Sequence, residues 1–295
     1  MISKNTFSAI LDKNGPDQLE FELIDQLCQS HPEILKQINK KDLSFLVSSE
    51  SIMGHILNKP FGYAGDFKII DRIYTKDASD EFRKWDDYSL SNSAAKAVRN
   101  RKDYFKLLIK EKLDQKGALN VLNIACGPAR DVFEIFEEIA DSSNLTFTCL
   151  DLDENAIEYA KELNEENSDK ITFIHKNILK FDTDSKYDLI WSAGLFDYFN
   201  DKAFVTILNR MGEWMDLESE IVIGNFNEDH NPSRNYMEII GEWFLKHRSI
   251  GSLESLALEA GYDKTQIKVN SEPENVNLFL HVKADANLSF GLKNL

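Results

Sequence analysis

The sequence predicts an α/β protein, with a helical N-terminal region followed by a mostly parallel sheet that has one reversed strand. Three observations carry that expectation. From Asn120 onward short apolar runs alternate with amphipathic stretches, the pattern of successive βα units. Before Asn120 the apolar residues recur at helical spacing instead, with no strand ladder. Near the C-terminus two strand-like segments, Gln266 to Val269 and Leu278 to Val282, are joined by a polar stretch alone. Strands with no helix between them are antiparallel neighbours.

In the first part, Phe21, Leu23, Ile24 and Leu27 predict one helix that stops near His31 and Pro32. Leu46, Val47, Ile52, Ile56 and Leu57 predict another, ending before Lys59 and Pro60, because the residue ahead of a proline is pushed out of the helical region. The loop Phe61-Gly62-Tyr63-Ala64-Gly65-Asp66 comes next and leads into Ile69, Ile70 and Ile73. Two glycines around Tyr63 supply the backbone freedom a lid or clamp needs, and they equally suit an ordinary turn between helices. A longer helix from about Ser93 to Lys116 carries a buried stripe of Ala94, Val98, Phe105, Leu108, Ile109 and Leu113, with Gly117 as its cap. Arg99 and Arg101 near its start are either candidates for a ligand carboxylate or part of a solvated face.

The alternating part opens with Asn-Val-Leu-Asn-Ile-Ala-Cys-Gly-Pro-Ala-Arg-Asp, residues 120–131. Val121, Leu122 and Ile124 form a buried strand, a cluster of small residues makes a tight turn, and Val132, Phe133, Phe136 and Ile139 recur at helical spacing. Strand, small-residue turn and helix N-terminus form the opening unit of a nucleotide-type binding fold. Further strands are expected at Leu145 to Asp151, Ile171 to His175, Tyr187 to Trp191 and Glu220 to Asn225. Helices are expected at Asn155 to Leu163, Asp201 to Met215, Arg234 to Phe244 and Ser252 to Ala260.

Composition narrows the function. Among 295 residues, 34 Lys plus Arg face 50 Asp plus Glu, a formal net charge of −16. Such a surface repels phosphate backbones, and no basic block offsets it, so nucleic acid is not an expected partner. The three cysteines, Cys28, Cys126 and Cys149, are scattered without a Cys-x-x-Cys pair, which indicates neither a disulfide framework nor a zinc site. Cys126 reads as a small residue filling a crowded strand end, since no neighbouring histidine would activate it. With no apolar signal core and no long uncharged apolar run, the chain reads as a soluble cytoplasmic protein without stable membrane insertion.

In an open parallel sheet, ligands bind beyond the carboxyl ends of the strands, at the switch point. Chemically useful residues recur there. The Ala125 to Ala129 turn, with Gly127 at its centre, lets a ligand approach the backbone. Asp151 ends the second strand about two dozen residues beyond Gly127, placed to accept hydrogen bonds from both hydroxyls of a ribose. After the third strand Asn177 suits an adenine amino group, and Leu152 and Ile178 suit the two faces of its ring. After the fourth strand Ser192, Ala193 and Gly194 leave room for the rest of the ligand.

That joint pattern resembles the class I S-adenosylmethionine-dependent methyltransferases from Asn120 to about Ala284. The resemblance implies a Rossmann-like, seven-stranded sheet with its last strand antiparallel, and S-adenosyl-L-methionine as cofactor. The turn here is Ala-x-Gly-x-Ala rather than the family's glycine-rich form. Gly62-Tyr63-Ala64-Gly65-Asp66, Val98-Arg99-Asn100-Arg101 and Cys126-Gly127-Pro128-Ala129-Arg130 together resemble a narrower bacterial group, annotated for biosynthesis of 3-hydroxypalmitic acid methyl ester. From roughly Pro60 to the C-terminus, that resemblance implies residues 1–116 as a helical cap or lid and 117–295 as the methyltransferase domain. It also implies Tyr63 and Asp66 close to the cofactor, and Arg99 and Arg101 near its carboxylate.

The acceptor decides whether a base is needed. A carboxylate, with a pKa of about 4, is already ionised, whereas a hydroxyl or amine requires proton removal. The polar loop Asn225-Phe226-Asn227-Glu228-Asp229-His230-Asn231-Pro232 follows the fifth strand. His230 can be read as a base or as a solvent-exposed loop histidine. Asn225, Asn227 and Tyr236 are candidates to orient an acceptor carboxylate, beside Tyr63 as the residue closing the site. Phe196, Tyr198 and Phe199 either line an apolar acceptor pocket or pack in the core. Ser192-Ala193-Gly194-Leu195 stands where nucleobase amino methyltransferases often carry Asp/Asn-Pro-Pro-Tyr/Phe, so a small-molecule acceptor is expected. No Cys/His/carboxylate cluster suggests a metal, Asp197 and Asp201 being the nearest candidates. The sequence therefore favours carboxyl methylation of a fatty or other lipophilic acid. A hydroxyl or amine methyltransferase using His230 and a catalytically idle cofactor-binding module are the alternatives, and the closing hairpin disfavours a nicotinamide oxidoreductase.

Overall fold

The computed structural model describes residues 4–284; the outermost parts of the two expected domains, residues 1–3 and 285–295, lie outside the described residues. Two compact units are formed. One takes the chain up to Lys102 together with His230–Leu245 and Pro273–Val276, and the other takes Asp103–Asp229, Lys246–Glu272 and the chain from Asn277.

The first unit is helical: α1 (Lys4–Asp12), α2 (Phe21–Ser30), α3 (Pro32–Lys36), α4 (Ser44–Val47), α5 (Ile52–Asn58), α6 (Phe67–Thr75), α7 (Arg83–Ser91) and the beginning of α8 (Ser93–Lys116). Trp85 is its aromatic centre, stacked on Phe45 with ring centroids 4.0 Å apart. Buried Asp86 accepts the Ile52 N–H at 2.7 Å, the Ser79 N–H at 2.8 Å and Arg72 Nη2 at 3.3 Å. Burial raises its pKa against those bonds. The single helix expected over Leu46 to Leu57 is two, α4 and α5. Ser51 caps α5 by accepting the Gly54 N–H at 2.9 Å and donates to Phe45 O. A Cβ at Gly54 would stand 2.6 Å from Phe45 O, so glycine permits the sharp fold between the helices.

The helix expected over Arg234 to Phe244 is also corrected. Only a wide turn over Tyr236–Ile240 forms, closed by Gly241 N–H on Tyr236 O at 3.4 Å. Glu242 then adopts a left-handed φ of 49°, which ends any helix.

The second unit holds β1 (Leu119–Ile124), α9 (Arg130–Glu138), β2 (Leu145–Asp151), α10 (Glu154–Leu163), β3 (Ile171–His175), β4 (Tyr187–Ser192), α11 (Asp201–Glu213), β5 (Met215–Phe226), α12 (Ile250–Glu259), β6 (Ile267–Ser271) and β7 (Asn277–Lys283). Its seven strands lie in the order β3-β2-β1-β4-β5-β7-β6. All neighbours pair in parallel except β5 with β7 and β7 with β6, so β7 is the one reversed strand, as expected. The order reverses between β1 and β4, which sets the switch point there.

Alternation along each strand divides the core. Leu122, Ile124, Ile190, Ile221 and Ile223 face α11 and α12 through Phe204, Ile207, Leu208, Leu253 and Leu256. Val121, Phe147, Leu189, Val222 and Phe279 face α8, α9 and α10 through Phe105, Ile109, Val132, Ile135 and Ile157. Phe105 stacks on Trp191 at 4.5 Å, and truncating an aromatic packed in this way typically costs about 3–5 kcal/mol.

On the α8 side a polar chain crosses the sheet. Lys112 Nζ meets Glu220 Oε2 at 2.6 Å, Glu220 Oε1 meets His281 Nδ1 at 2.8 Å, and His281 Nε2 meets the Tyr104 hydroxyl at 2.7 Å. Asn270 Nδ2 donates to the same hydroxyl at 2.9 Å.

Candidate cofactor site and acceptor side

The turn after β1 is built from three left-handed residues at alternate positions: Ala125 (φ 55°), Gly127 (φ 54°) and Ala129 (φ 47°). Cys126 N–H bonds Leu150 O at 3.1 Å, which ties the turn to β2, and Phe133 N–H bonds Ala129 O at 3.0 Å, which starts α9. A Cβ built at Gly127 meets no atom within 4 Å. The conformation, not the packing, favours glycine there, and the space beside it is open.

Asp151 at the end of β2 is held against this turn. Its Oδ2 accepts the Gly127 N–H at 2.8 Å and its Oδ1 accepts the Asp153 N–H at 2.9 Å. An ionised carboxylate offers about four acceptor positions, so each oxygen keeps capacity for a further hydroxyl donor. Burial raises the Asp151 pKa above its ordinary value of 3.8, opposed by those backbone N–H bonds. Two residues before the turn, Asn123 is buried with no hydrogen-bond partner for Nδ2 among the described residues; an isolated polar position inside an apolar strand gave no reason to single it out.

After β3, Asn177 Oδ1 accepts the Leu179 N–H at 2.8 Å. Ile178 is buried, whereas Leu152 is 61% exposed. After β4, Ser192 is buried and donates to Ile124 O at 3.1 Å, fixing β4 to β1. Gly224 in β5 is required for the backbone that follows: a Cβ there would stand 2.7 Å from Ala193 O.

At the carboxyl ends of β4 and β5 the polar groups are committed to one another. Arg248 is 2% exposed, and all five of its N–H donors are used. Nη1 donates to Phe196 O at 2.9 Å and Asn225 Oδ1 at 2.7 Å, Nη2 to Phe199 O at 2.6 Å and Asp201 at 3.1 Å, and Nε to Asp201 at 3.2 Å. Asn225 Nδ2 donates to Phe226 O and Lys246 O, each at 3.0 Å. Asp197 accepts the Phe226 N–H at 2.7 Å. Lys246, through a 2.7 Å bond, and Arg248 lower the Asp201 pKa against burial. Asn225, expected to face an acceptor, is thus a buried brace, and Asp197 and Asp201 answer backbone and cations. Phe196 is buried, and Tyr198 is 47% exposed. Arg248 and Gly224 escaped sequence reading because their partners are remote in the chain.

The other expected residues belong to the first unit. Asp66 is fully buried, caps α6 through the Lys68 and Ile69 N–H groups at 3.0 Å each, and pairs with His55 Nε2 at 2.8 Å. Tyr63 is half-buried beside Gly62, whose φ is 92°. Arg99 Nη2 donates to Leu90 O at 2.8 Å, and Arg101 Nε to the Tyr74 hydroxyl at 3.3 Å. His230 is exposed. Tyr236 is buried, its hydroxyl 3.0 Å from Ser89 Oγ, and burial pushes its pKa up.

A small-residue turn over open space, a carboxylate at the end of β2 and a seven-stranded sheet with one reversed strand define a class I S-adenosylmethionine-dependent methyltransferase. The chain belongs to the methyltransferase domain family, whose model matches residues 115–266. Among solved structures it is similar to a possible exported protein from Bordetella parapertussis, at 15% identity and a TM-score of 0.67, covering 93% of this chain and 99% of that one. It is also similar to magnesium protoporphyrin IX methyltransferase from Synechocystis PCC 6803 with bound S-adenosylmethionine. That match has 11% identity and a TM-score of 0.52 and covers 80% and 98% of the two chains. At such identities these likenesses speak to the fold. No protein of curated function matches the sequence. Among the described residues, no helix is long and apolar enough to cross a membrane, and no group of three metal-ligating side chains occurs.

Proposed function

We propose that the chain transfers a methyl group from S-adenosylmethionine to the carboxylate of a small lipophilic acid, forming a methyl ester. The observation that carries the carboxylate reading is the commitment of polar groups at the carboxyl ends of β4 and β5. Asn225, Asp197 and Asp201 are engaged by Arg248, Lys246 and backbone N–H groups, which suits an acceptor that is already ionised. The exposed ring of Tyr198, with Ile250 also exposed, favours a lipophilic one.

Within this reading the open turn at Gly127 takes the methionyl part of the donor, Asp151 the ribose hydroxyls, and Asn177 with Ile178 and Leu152 the adenine. Bound there, the donor supplies an electrophilic methyl group on a sulfonium centre. Tyr63, Asp66, Arg99 and Arg101 are proposed contributors to donor affinity, each testable by substitution.

The test is incubation of labelled S-adenosylmethionine with free fatty acids, 3-hydroxy acids and phenolic acids. Label in base-labile methyl esters supports the proposal. Label only in ethers or amines overturns it, and a loss of several orders of magnitude in H230A, with folding and acceptor binding intact, would identify His230 as a base. Donor binding without turnover on any acceptor class would leave a binding module in place of an enzyme.

A further inference from the structure

Between β3 and β4 the chain runs through a polar stretch, Lys176 to Lys186, in which only Ile178 and Phe181 are buried. Hydrophobic packing alone gives such a segment little reason to hold one shape. Yet three of its carbonyl oxygens converge on one side chain from α11. Arg210 Nη1 donates to Leu179 O at 3.0 Å and to Ile178 O at 3.4 Å, and Nη2 donates to Phe181 O. The guanidinium lies 5.7 Å from the Trp214 ring centroid. Trp214 meets Phe181 edge-on at 5.1 Å, and its indole N–H donates to Asp182 at 3.4 Å. From within the turn, Asn177 caps the Leu179 N–H. The backbone from Asn177 to Phe181 is therefore fixed twice, by Asn177 locally and by Arg210 from a helix remote in sequence.

We propose that Arg210 is a positioning residue for donor binding. It holds the carbonyls of Ile178, Leu179 and Phe181 so that the turn presents Asn177 and Ile178 to the adenine base, and it contributes to selection of adenine without touching the ligand. The inference rests on the adenine assignment made above. A planar fork of donors can serve several carbonyls at once, whereas a lysine ammonium is a compact point donor. Replacing Arg210 by Lys therefore recovers only part of the arrangement.

The experiment is calorimetric binding of S-adenosylhomocysteine and of its inosine analogue to the full chain, in wild type, R210Q, R210K and N177A. Expected is an approximately tenfold weaker S-adenosylhomocysteine affinity in R210Q, a smaller preference for adenine over hypoxanthine, and intermediate values in R210K. If affinity and preference are both unchanged in R210Q, the inference is overturned. It is equally overturned if affinity falls for both ligands with the preference intact, since a merely structural role does that. Should R210Q fail to fold, R210K carries the same comparison. An unchanged preference in N177A removes the adenine assignment and the inference with it, whereas a lost preference in N177A beside an unaffected R210Q and R210K removes Arg210 alone.

Discussion

The polar chain from half-buried Lys112 through buried Glu220 and His281 to half-buried Tyr104 makes a quantitative prediction about stability. Burial alone would raise the Glu220 carboxyl, but hydrogen bonds from His281 and Lys112 reverse that and lower it from 4.5 to about 2. Because the folded-state value is depressed, the stabilisation is fully present above the ordinary carboxylate value and is lost as pH falls toward about 2. The difference between 4.5 and about 2 corresponds to about 3 kcal/mol at neutral pH. E220Q removes that contribution and leaves Lys112 without its counter-charge, so the cost at pH 7 is about 3–5 kcal/mol. At pH 3.5 the wild type has already lost part of the same contribution, and the gap between the two proteins narrows by about 1 kcal/mol. Urea titrations followed by tryptophan fluorescence at pH 7 and pH 3.5 measure both values. A cost below about 1 kcal/mol at pH 7, or one that does not change with pH, would refute the reasoning.

Four more outcomes are expected. D151A should abolish most of the thermal stabilisation that S-adenosylhomocysteine gives the wild type. Because the Asp151 carboxyl titrates above its ordinary value, wild-type affinity should begin to fall at a higher pH than an unperturbed carboxylate would cause; calorimetry across pH 4 to 7 checks the direction. R248M should cost about 3 kcal/mol or more in urea and raise amide exchange at Phe196 to Phe199 and at Phe226, whereas exchange confined to other segments would contradict the bracing role. G224A should cost about 1–3 kcal/mol by overpacking against Ala193 O, with chemical-shift changes centred on Ala193 and Gly194.

Much of the parallel sheet was legible because its signals are local. The bounds of β2, β3 and α8 match expectation, since β2 and β3 are short apolar runs packed on both faces, through Phe147 and Ile171 on one and Leu150 and Ile174 on the other, and the Phe105, Ile109 and Leu113 stripe carries a helical period. The break between α4 and α5 was not legible, because it depends on Ser51 reaching Phe45 O and on a glycine that lets two backbones press together. The polar sequence of α7 hid a helix whose key residue, Asp86, acts through Ile52 and Ser79. In the candidate site, Gly127 and Asp151 stood out from spacing, and the fold brings them to 2.8 Å. Asn225 misled for a physical reason: an amide at a strand end looks the same in sequence whether it meets a ligand or an arginine. Arg210 and Arg248 were invisible, as a guanidinium that gathers remote carbonyls leaves no local pattern.

The open space beside Gly127 gives an experimental handle on this protein. Its flanking residues Ala125 and Ala129 already carry side chains in the left-handed region, so the turn accepts a Cβ in that conformation at a cost of about 1–2 kcal/mol, less for asparagine. G127N should therefore fold while projecting an amide into the volume where a cofactor would approach. Such a variant acts as a steric plug rather than a broken fold. It would let a cell or an assay distinguish what the protein does by methyl transfer from what it does merely by being present.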